Sequence, residues 1–318
     1  MVEVFSIPLR TRFRGITERE GLLLQGPAGW GEFSPFLEYD DPTAAPWLAC
    51  AREAASQGWP DPVRSTVPVN VTVPACSPSE AVGIVLASRG CRTAKVKVAE
   101  RGQDPAEDEA RIEAVRDAIG ADGQVRIDAN GGWSVDEAVA RIGVLDRAAG
   151  GLEYVEQPCA SVEELSLVRR RVSVRIAADE SIRRASDPYR VRDLEAADVA
   201  VLKVQPLGGV RACLRIAEDI GLPVVVSSAV ESSIGIAAGV ALAAALPDLP
   251  YASGLATVQL LAEDVVEESL LPVDGALPVV RPVVSPKRLA DVEAAPDRVE
   301  HWLRRLASVE ALRQDRRP

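Results

Sequence analysis

Eight short β-rich segments, each followed from residue 66 onward by a turn and a helical stretch, predict an α/β fold whose core is a TIM-type (β/α)7β barrel. Two further observations agree. The units recur roughly every 25 residues, the length that one βα unit needs. The charges inside the β-rich segments gather at their C-terminal ends, the face where barrels of this kind build their sites.

In chain order the strand candidates are VPVNVTV (67–73), AKVKV (94–98), QVRIDA (124–129), LEYVEQ (152–157), RIAADE (175–180), VAVLKV (199–204), PVVVSS (223–228) and ASGLATV (252–258). Each is rich in β-branched residues and bounded by turn formers. Between them PAEDEARIEAVRDAIG, VDEAVARIGVLDRAA and VRACLRIAEDIG read as helices that end near glycine or small residues. Residues 1–65 follow another pattern: a strand VEVFSIPLR, a glycine-punctuated hairpin GLLLQGPAGWGEFSP and a helix from about Pro42 to Gln57. This predicts a small α+β capping domain before a barrel over 66–262. The tail, 263–318, leaves the barrel pattern, carries a charged helix from about Pro286 to Arg313, and is expected to return to the cap.

Composition narrows the function. With 318 residues, 47% hydrophobic and 26% charged, the chain has enough apolar material for a large core, which excludes disorder as its main state. The 36 Lys and Arg against 47 Asp and Glu give a net charge of −11, which repels phosphate backbones and anionic lipid. Nucleic-acid and membrane partners are therefore not expected; a small anionic substrate is, for a monomer or a homo-oligomer alike. The longest apolar run, Ile234 to Leu246, is too short to span a bilayer, and the start of the chain does not read as a signal peptide. A cytoplasmic protein is expected. Cys50, Cys76, Cys91, Cys159 and Cys213 form no CxxC pair and read as packed thiols.

Charges within parallel barrel strands are costly unless they form a site. Here Lys95 and Lys97, Asp128, Glu156, Asp179 and Glu180, and Lys203 close five successive strands. Strand alternation puts Lys95 and Lys97 on one face, so both enter the mouth if either does. Repulsion and burial then lower a lysine pKa, which makes Lys97, nearer the strand end, the candidate base. Asp128, Glu156 and Asp179 converge from three adjacent strands and need a cation. An all-oxygen set favours Mg2+ over zinc. His301, the chain's one histidine, sits far off in the tail helix and reads as a solvated residue. Lys203 stands across the mouth from Lys97. Ser227 and Ser228 in SSAVESSIG lie where a substrate carboxylate would rest, although such a turn also serves simply as a helix cap. Gly208–Gly209 reads as a tight turn, since no GxGxxG is present.

The motifs AKVKV, VRIDANGGW, YVEQP, IAADES, VLKVQP and SSAVESSIG, in this order and spacing, resemble the muconate-lactonizing subgroup of the enolase superfamily, and within it most closely the o-succinylbenzoate synthases of menaquinone biosynthesis. The resemblance covers about residues 90 to 260. It implies that Lys97 abstracts the proton α to the ring carboxylate and then protonates the departing hydroxyl in a syn elimination of water. Lys203 would stabilise the developing charge, and Asp128, Glu156 and Asp179 would bind Mg2+. Lys95, Arg126, Asn130, Ser227, Ser228, Glu231 and Ser232 would bind substrate or support the residues that do. Arg14, in the Phe13–Arg14–Gly15 turn, is the expected covering loop. An N-succinylamino acid racemase remains the alternative, because both reactions begin with the same proton abstraction. A dipeptide epimerase fits less well, since 251–262 holds no acid near its expected ammonium site. A non-catalytic metal- or anion-binding barrel gains nothing from three lysines. A phosphate-binding isomerase would need a Gly-rich turn after strands seven or eight.

Overall fold

The computed structural model describes residues 1–13, 15–183 and 188–314. The chain begins with a three-stranded antiparallel sheet, β1 (Val2–Phe13), β2 (Ile16–Gly26) and β3 (Gly29–Phe33), in the order β1-β2-β3. Helix α1 (Asp41–Ser56) crosses this sheet. Asp40 starts it by accepting from the Thr43 amide, with Pro42 in the first turn, where a missing N–H costs nothing. The contact is close enough to dictate glycine. A Cβ on Gly31 would land on the Ala51 carbonyl, and one on Gly26 on that of Ala55.

The barrel follows as a seven-stranded parallel sheet in sequential order: β5 (Val71–Val73), β6 (Thr93–Lys97), β7 (Gln124–Asp128), β8 (Val155–Glu156), β9 (Ile176–Ala178), β10 (Val199–Lys203) and β11 (Val224–Ser227). Helices α2 (Pro78–Leu86), α3 (Pro105–Ile119), α4 (Val135–Ala148), α5 (Val162–Arg169), α6 (Glu180–Arg183), α7 (Tyr189–Asp193), α8 (Val210–Ile220) and α9 (Ser233–Ala245) lie between and after these strands. Ser77, Asp104 and Ser161 start α2, α3 and α5 with reciprocal capping boxes, so local sequence sets these boundaries. α9 is apolar and buried almost throughout, and its packing rather than its amphipathicity holds it.

Three expectations are corrected. The predicted first strand, 67–73, divides: β4 (Thr66–Pro68) pairs antiparallel with β12 (Ala276–Pro278) of the tail, and only β5 joins the barrel. The predicted eighth strand, 252–258, shrinks to two parallel bridges, Val69 to Ser253 and Ser227 to Gly254, before a 3-10 turn over Ala256–Leu260. Those bridges join the two edges of the sheet. A Cβ on Gly254 would lie 2.8 Å from Ser227 Oγ, so the closing segment has room for only a bare backbone. The single tail helix is two, α10 (Pro286–Asp291) and α11 (Pro296–Gln314), because a residue before proline is pushed out of helical geometry and Ala295 precedes Pro296.

α11 returns to the cap. Trp302, Leu306 and Val309 pack with Phe33, Trp47 and Leu48, and Trp302 Nε1 donates to Glu20 Oε2 at 3.1 Å. Cap and barrel are also joined by charge. Glu53 of α1 accepts from the Val210 amide at 2.6 Å and the Arg211 amide at 3.2 Å, satisfying the free N–H groups that open α8. A Cβ on Gly209 would collide with that carboxylate, so the second glycine of the Gly208–Gly209 turn makes room for Glu53. Among the described residues no helix is long and apolar enough to cross a membrane.

The glycines give a paired test by thermal and denaturant unfolding. Gly31→Ala should cost about 1–3 kcal/mol, because backbone rather than a flexible side chain blocks it. Gly83→Ala, exposed inside α2 with nothing within 4 Å of its Cβ, should instead stabilise by about 1 kcal/mol.

Candidate active site

Alternation along the strands decides which side chains enter the barrel. Register pairs Lys95 with Arg126 and Lys97 with Asp128, so β6 and β7 present two layers of charge to the interior. The lower layer is closed. Arg126 is fully buried, donates to Asn70 Oδ1 at 3.2 Å, the Tyr154 hydroxyl at 3.1 Å and the Ala252 carbonyl at 2.7 Å, pairs with Glu153, and lies over the Tyr154 ring at 4.7 Å. It forms the floor beneath the site rather than a wall of it.

The upper layer is a lattice of opposite charges. Lys95 Nζ lies 2.8 Å from Glu156 Oε1 and 3.1 Å from Asp128 Oδ2, and Lys97 Nζ lies 2.6 Å from the same Asp128 oxygen. On the other side Lys203 Nζ lies 2.6 Å from Asp179 Oδ2. β6 and β10 stand four strands apart in the sheet order, so Lys97 and Lys203 enter from opposite walls. Asn130, with a left-handed backbone (φ 45°), accepts from Lys97 at 2.7 Å and donates to Glu180 Oε1 at 3.2 Å.

At Lys95 the electrostatics run opposite to a lowered lysine pKa. Burial pushes the Lys95 pKa down, but the Glu156 and Asp128 carboxylates outweigh it and raise the pKa well above the ordinary value. Lys95 is thus a fixed cation. Burial likewise pushes Asp128 up, and the Lys97 and Lys95 charges overcome it to hold Asp128 well below the usual carboxylate range. Glu156 goes the other way: burial, then repulsion from Asp128, pushes it up to about 7 against the pull of Lys95. The side chain of Lys97 is 18% exposed against 8% for Lys95, so Lys97 is the more accessible of the two ammonium groups on β6.

A pocket of about 1270 Å³ opens above the lattice. Lys95, Lys97, Asn130, Lys203, Ser227 and Ser228 line it, as do Arg12, Gly15, Phe36, Thr72, Glu180 and Thr257. Ser228 Oγ is 2.8 Å from Thr257 Oγ1 and donates to the Gly254 carbonyl at 2.9 Å. Glu231 and Ser232 do not line it; they are buried toward the cap, where Ser232 Oγ donates to Glu32. Arg14 lies outside the described residues, but its neighbours Arg12 and Gly15 reach the rim. Thr72 was legible in principle, since it alternates inward in VNVTV. Phe36 sits in the loop after β3 and Thr257 in a 3-10 turn where 252–258 was read as a strand, and Glu32 and Arg19 act from the cap, so strand alternation did not single them out.

Asp128, Glu156 and Asp179 could hold a divalent cation. They are three hard oxygen donors from adjacent strands, and Glu156 Oε2 is buried without a hydrogen-bond partner among the described residues. Among those residues no three acidic, His or Cys side chains already surround one point, because the lysines draw the carboxylates toward themselves.

Comparison with known proteins places this geometry. Residues 79–282 match the model described as "Enolase C-terminal domain-like" and residues 4–55 the one described as "Enolase N-terminal domain-like". The chain is 68% identical over 307 residues to an o-succinylbenzoate synthase of Thermobifida fusca, covering 96% of this chain and 95% of that one. It is 53% identical over 311 residues to one of Mycolicibacterium smegmatis, covering 98% and 95%. Among solved structures it resembles the muconate lactonizing enzyme from Pseudomonas putida (TM-score 0.78, 21% identity, 92% of this chain and 98% of that one). It also resembles the L-Ala-D/L-Glu epimerase from Bacillus subtilis (TM-score 0.76, 23% identity, 89% and 96%), likenesses that establish the fold. With both enolase-type layers matched and near full-length identity of this order, the chain belongs to the o-succinylbenzoate synthase family of the enolase superfamily.

Proposed function

We propose that this chain is an Mg2+-dependent o-succinylbenzoate synthase. It dehydrates 2-succinyl-6-hydroxy-2,4-cyclohexadiene-1-carboxylate to 2-succinylbenzoate in menaquinone biosynthesis. The observation that carries the reading is the pair of lysines on opposite walls above three buried carboxylates, in a chain 68% identical to a relative of that name. Asp128, Glu156 and Asp179 hold the ion, which when bound supplies positive charge against the ring carboxylate as its α-proton leaves. Lys97, the more exposed of the two lysines on β6, takes that proton and returns it to the hydroxyl on the same face, so water departs and the ring becomes aromatic. Lys203, from the far wall, sets its ammonium against the charge developing on the carboxylate. Lys95 stays charged and fixes Asp128 and Glu156. A cytoplasmic location belongs to the same proposal, supported by five free thiols in a chain that forms no disulfide among them.

Substitution separates the two roles. Lys97→Ala should keep the fold and Mg2+ affinity yet lose at least the roughly 10²–10⁴-fold typical of a general acid–base group. It should also abolish deuterium exchange at the α-carbon of a substrate analogue in D2O. Lys203→Ala should slow that exchange without changing its face. Wild-type dehydration by Lys97→Ala would remove it from the role of base.

The raised Glu156 pKa gives a proton-release test. A carboxylate that titrates at about 7 holds a proton at pH 6 and none at pH 8.5, and the cation must displace it. Mg2+ added to the metal-free protein should therefore release close to one proton per ion at pH 6 and almost none at pH 8.5, with affinity falling as pH drops through 7. Equal release at both values, read in two buffers by calorimetry, would refute Glu156 as the titrating ligand.

A further inference from the structure

The turn that follows β11 walls the pocket with Ser227, Ser228, Ala229 and Val230, and it is held in a conformation the chain does not favour. Val230 has φ 62°, left-handed backbone that a β-branched residue adopts only when its surroundings force it. The force comes from the capping domain. Arg19 of β2 donates Nε to the Val230 carbonyl at 2.9 Å and Nη2 to Ser34 Oγ at 3.0 Å. The Ser34 hydroxyl in turn donates to Glu32 Oε1 at 2.6 Å.

Glu32 completes the helix start that the turn runs into. Its Oε2 accepts from the Ser232 amide at 3.1 Å, the Ser232 hydroxyl at 2.5 Å and the Gly235 amide at 3.1 Å. Ser232 is the N-cap of α9, and position N3, where a capping box would place an acid, is Gly235. The carboxylate missing from the helix is supplied from β3, some 200 residues earlier in the chain. Gly235 is required there. A Cβ would fall 2.5 Å from Glu231 Cβ and 2.7 Å from Gln205 Nε2. Glu32 itself is 2% exposed and does not line the pocket.

We infer that Glu32 is a positioning residue of the capping domain, fixing the strained 229–231 turn and the start of α9 so that Ser227–Val230 form a rigid wall against the bound substrate. It works through that wall and touches neither Lys97 nor Lys203, so its loss acts on substrate binding more than on the chemical step. The inference rests on the proposed dehydration for its kinetic readout only.

The test uses the full-length protein loaded with Mg2+. Glu32→Ala should raise KM for the cyclohexadiene substrate about tenfold and weaken binding of 2-succinylbenzoate by the same factor, the size expected when a helix cap and its strained turn are released. Its kcat should stay within about threefold and its Mg2+ affinity should be unchanged. Glu32→Gln keeps one acceptor for α9 and should recover most of the lost affinity. Hydrogen–deuterium exchange, which needs no substrate, should quicken across residues 228–235 in Glu32→Ala and return toward wild type in Glu32→Gln. Should Glu32→Ala fail to fold, Ser232→Ala, which removes the hydroxyl that donates to Glu32 and caps the Ile234 amide but leaves Glu32 its two backbone amides, should still give about a threefold rise in KM. Wild-type KM, product affinity and exchange in these variants would overturn the inference, as would a parallel fall of kcat and Mg2+ affinity, the mark of general loosening. A wild-type protein that neither turns over the substrate nor binds the product would instead overturn the proposed function, leaving the exchange result to decide the role of Glu32.

Discussion

Three ammonium groups and three carboxylates share the inside of one barrel mouth, each set against an opposite charge. An isolated buried charge is expensive enough that it neutralises or drags in water, and removing one partner of a buried pair costs about 3–5 kcal/mol. Lys95 between Asp128 and Glu156 is the centre of the arrangement, bonded to both within 3.1 Å. It holds two of the three carboxylates from below, leaves Lys97 to the pocket, and rests on the closed layer of Arg126 and Tyr154. The lattice also explains why Glu156 is pushed up while its neighbour Asp128 is held down. Asp128 feels three lysines, Lys97 and Lys95 at hydrogen-bonding distance and Lys203 beyond them, whereas at Glu156 burial and two acids, Asp128 and Asp179, oppose Lys95 and Lys203.

The same logic of satisfied charge joins the two layers of the molecule. Helix N-termini on the barrel, α8 and α9, point unpaired amides toward the cap, and the cap answers each with a carboxylate, Glu53 for α8 and Glu32 for α9. Both helices follow strands that end in the site, β10 with Lys203 and β11 with Ser227. The cap is therefore placed by the polar groups that open these helices, and its own contributions to the pocket, Arg12, Gly15 and Phe36, arrive in a defined place. Close approach, marked by Gly209, whose Cβ would meet the Glu53 carboxylate, is the condition for the α8 contact, and Gly31 lets α1, which carries Glu53, lie close on the cap sheet.

Much of this was legible in the chain. The βα alternation, seven of the strands and the helices α3, α4 and α8 follow from patterns a few residues long, because alternation, capping and turn chemistry are local. That Lys95 and Lys97 share one face follows from period-two geometry alone. The sequence could not say that Lys95 would be raised rather than lowered, since that sign depends on which oxygens lie within 3 Å or so across neighbouring strands.

By itself, then, the sequence determined the parallel barrel, the face that carries charge and the residue types that meet there, each through a short-range rule that any folded chain obeys. Only the tertiary structure decided how the sheet closes, which of the polar residues face the pocket, and who holds them. Residues 252–258 have the composition of a strand, yet they make only two bridges, Ser253 to Val69 and Gly254 to Ser227. Arg126 carries the same inward phase as Asp128, yet one layer lower it meets Tyr154 and Asn70 instead of a ligand. Ser232 looks like an ordinary helix cap, and its partner Glu32 is 200 positions away. Such contacts are set by the meeting of distant backbones, and no local pattern encodes that distance.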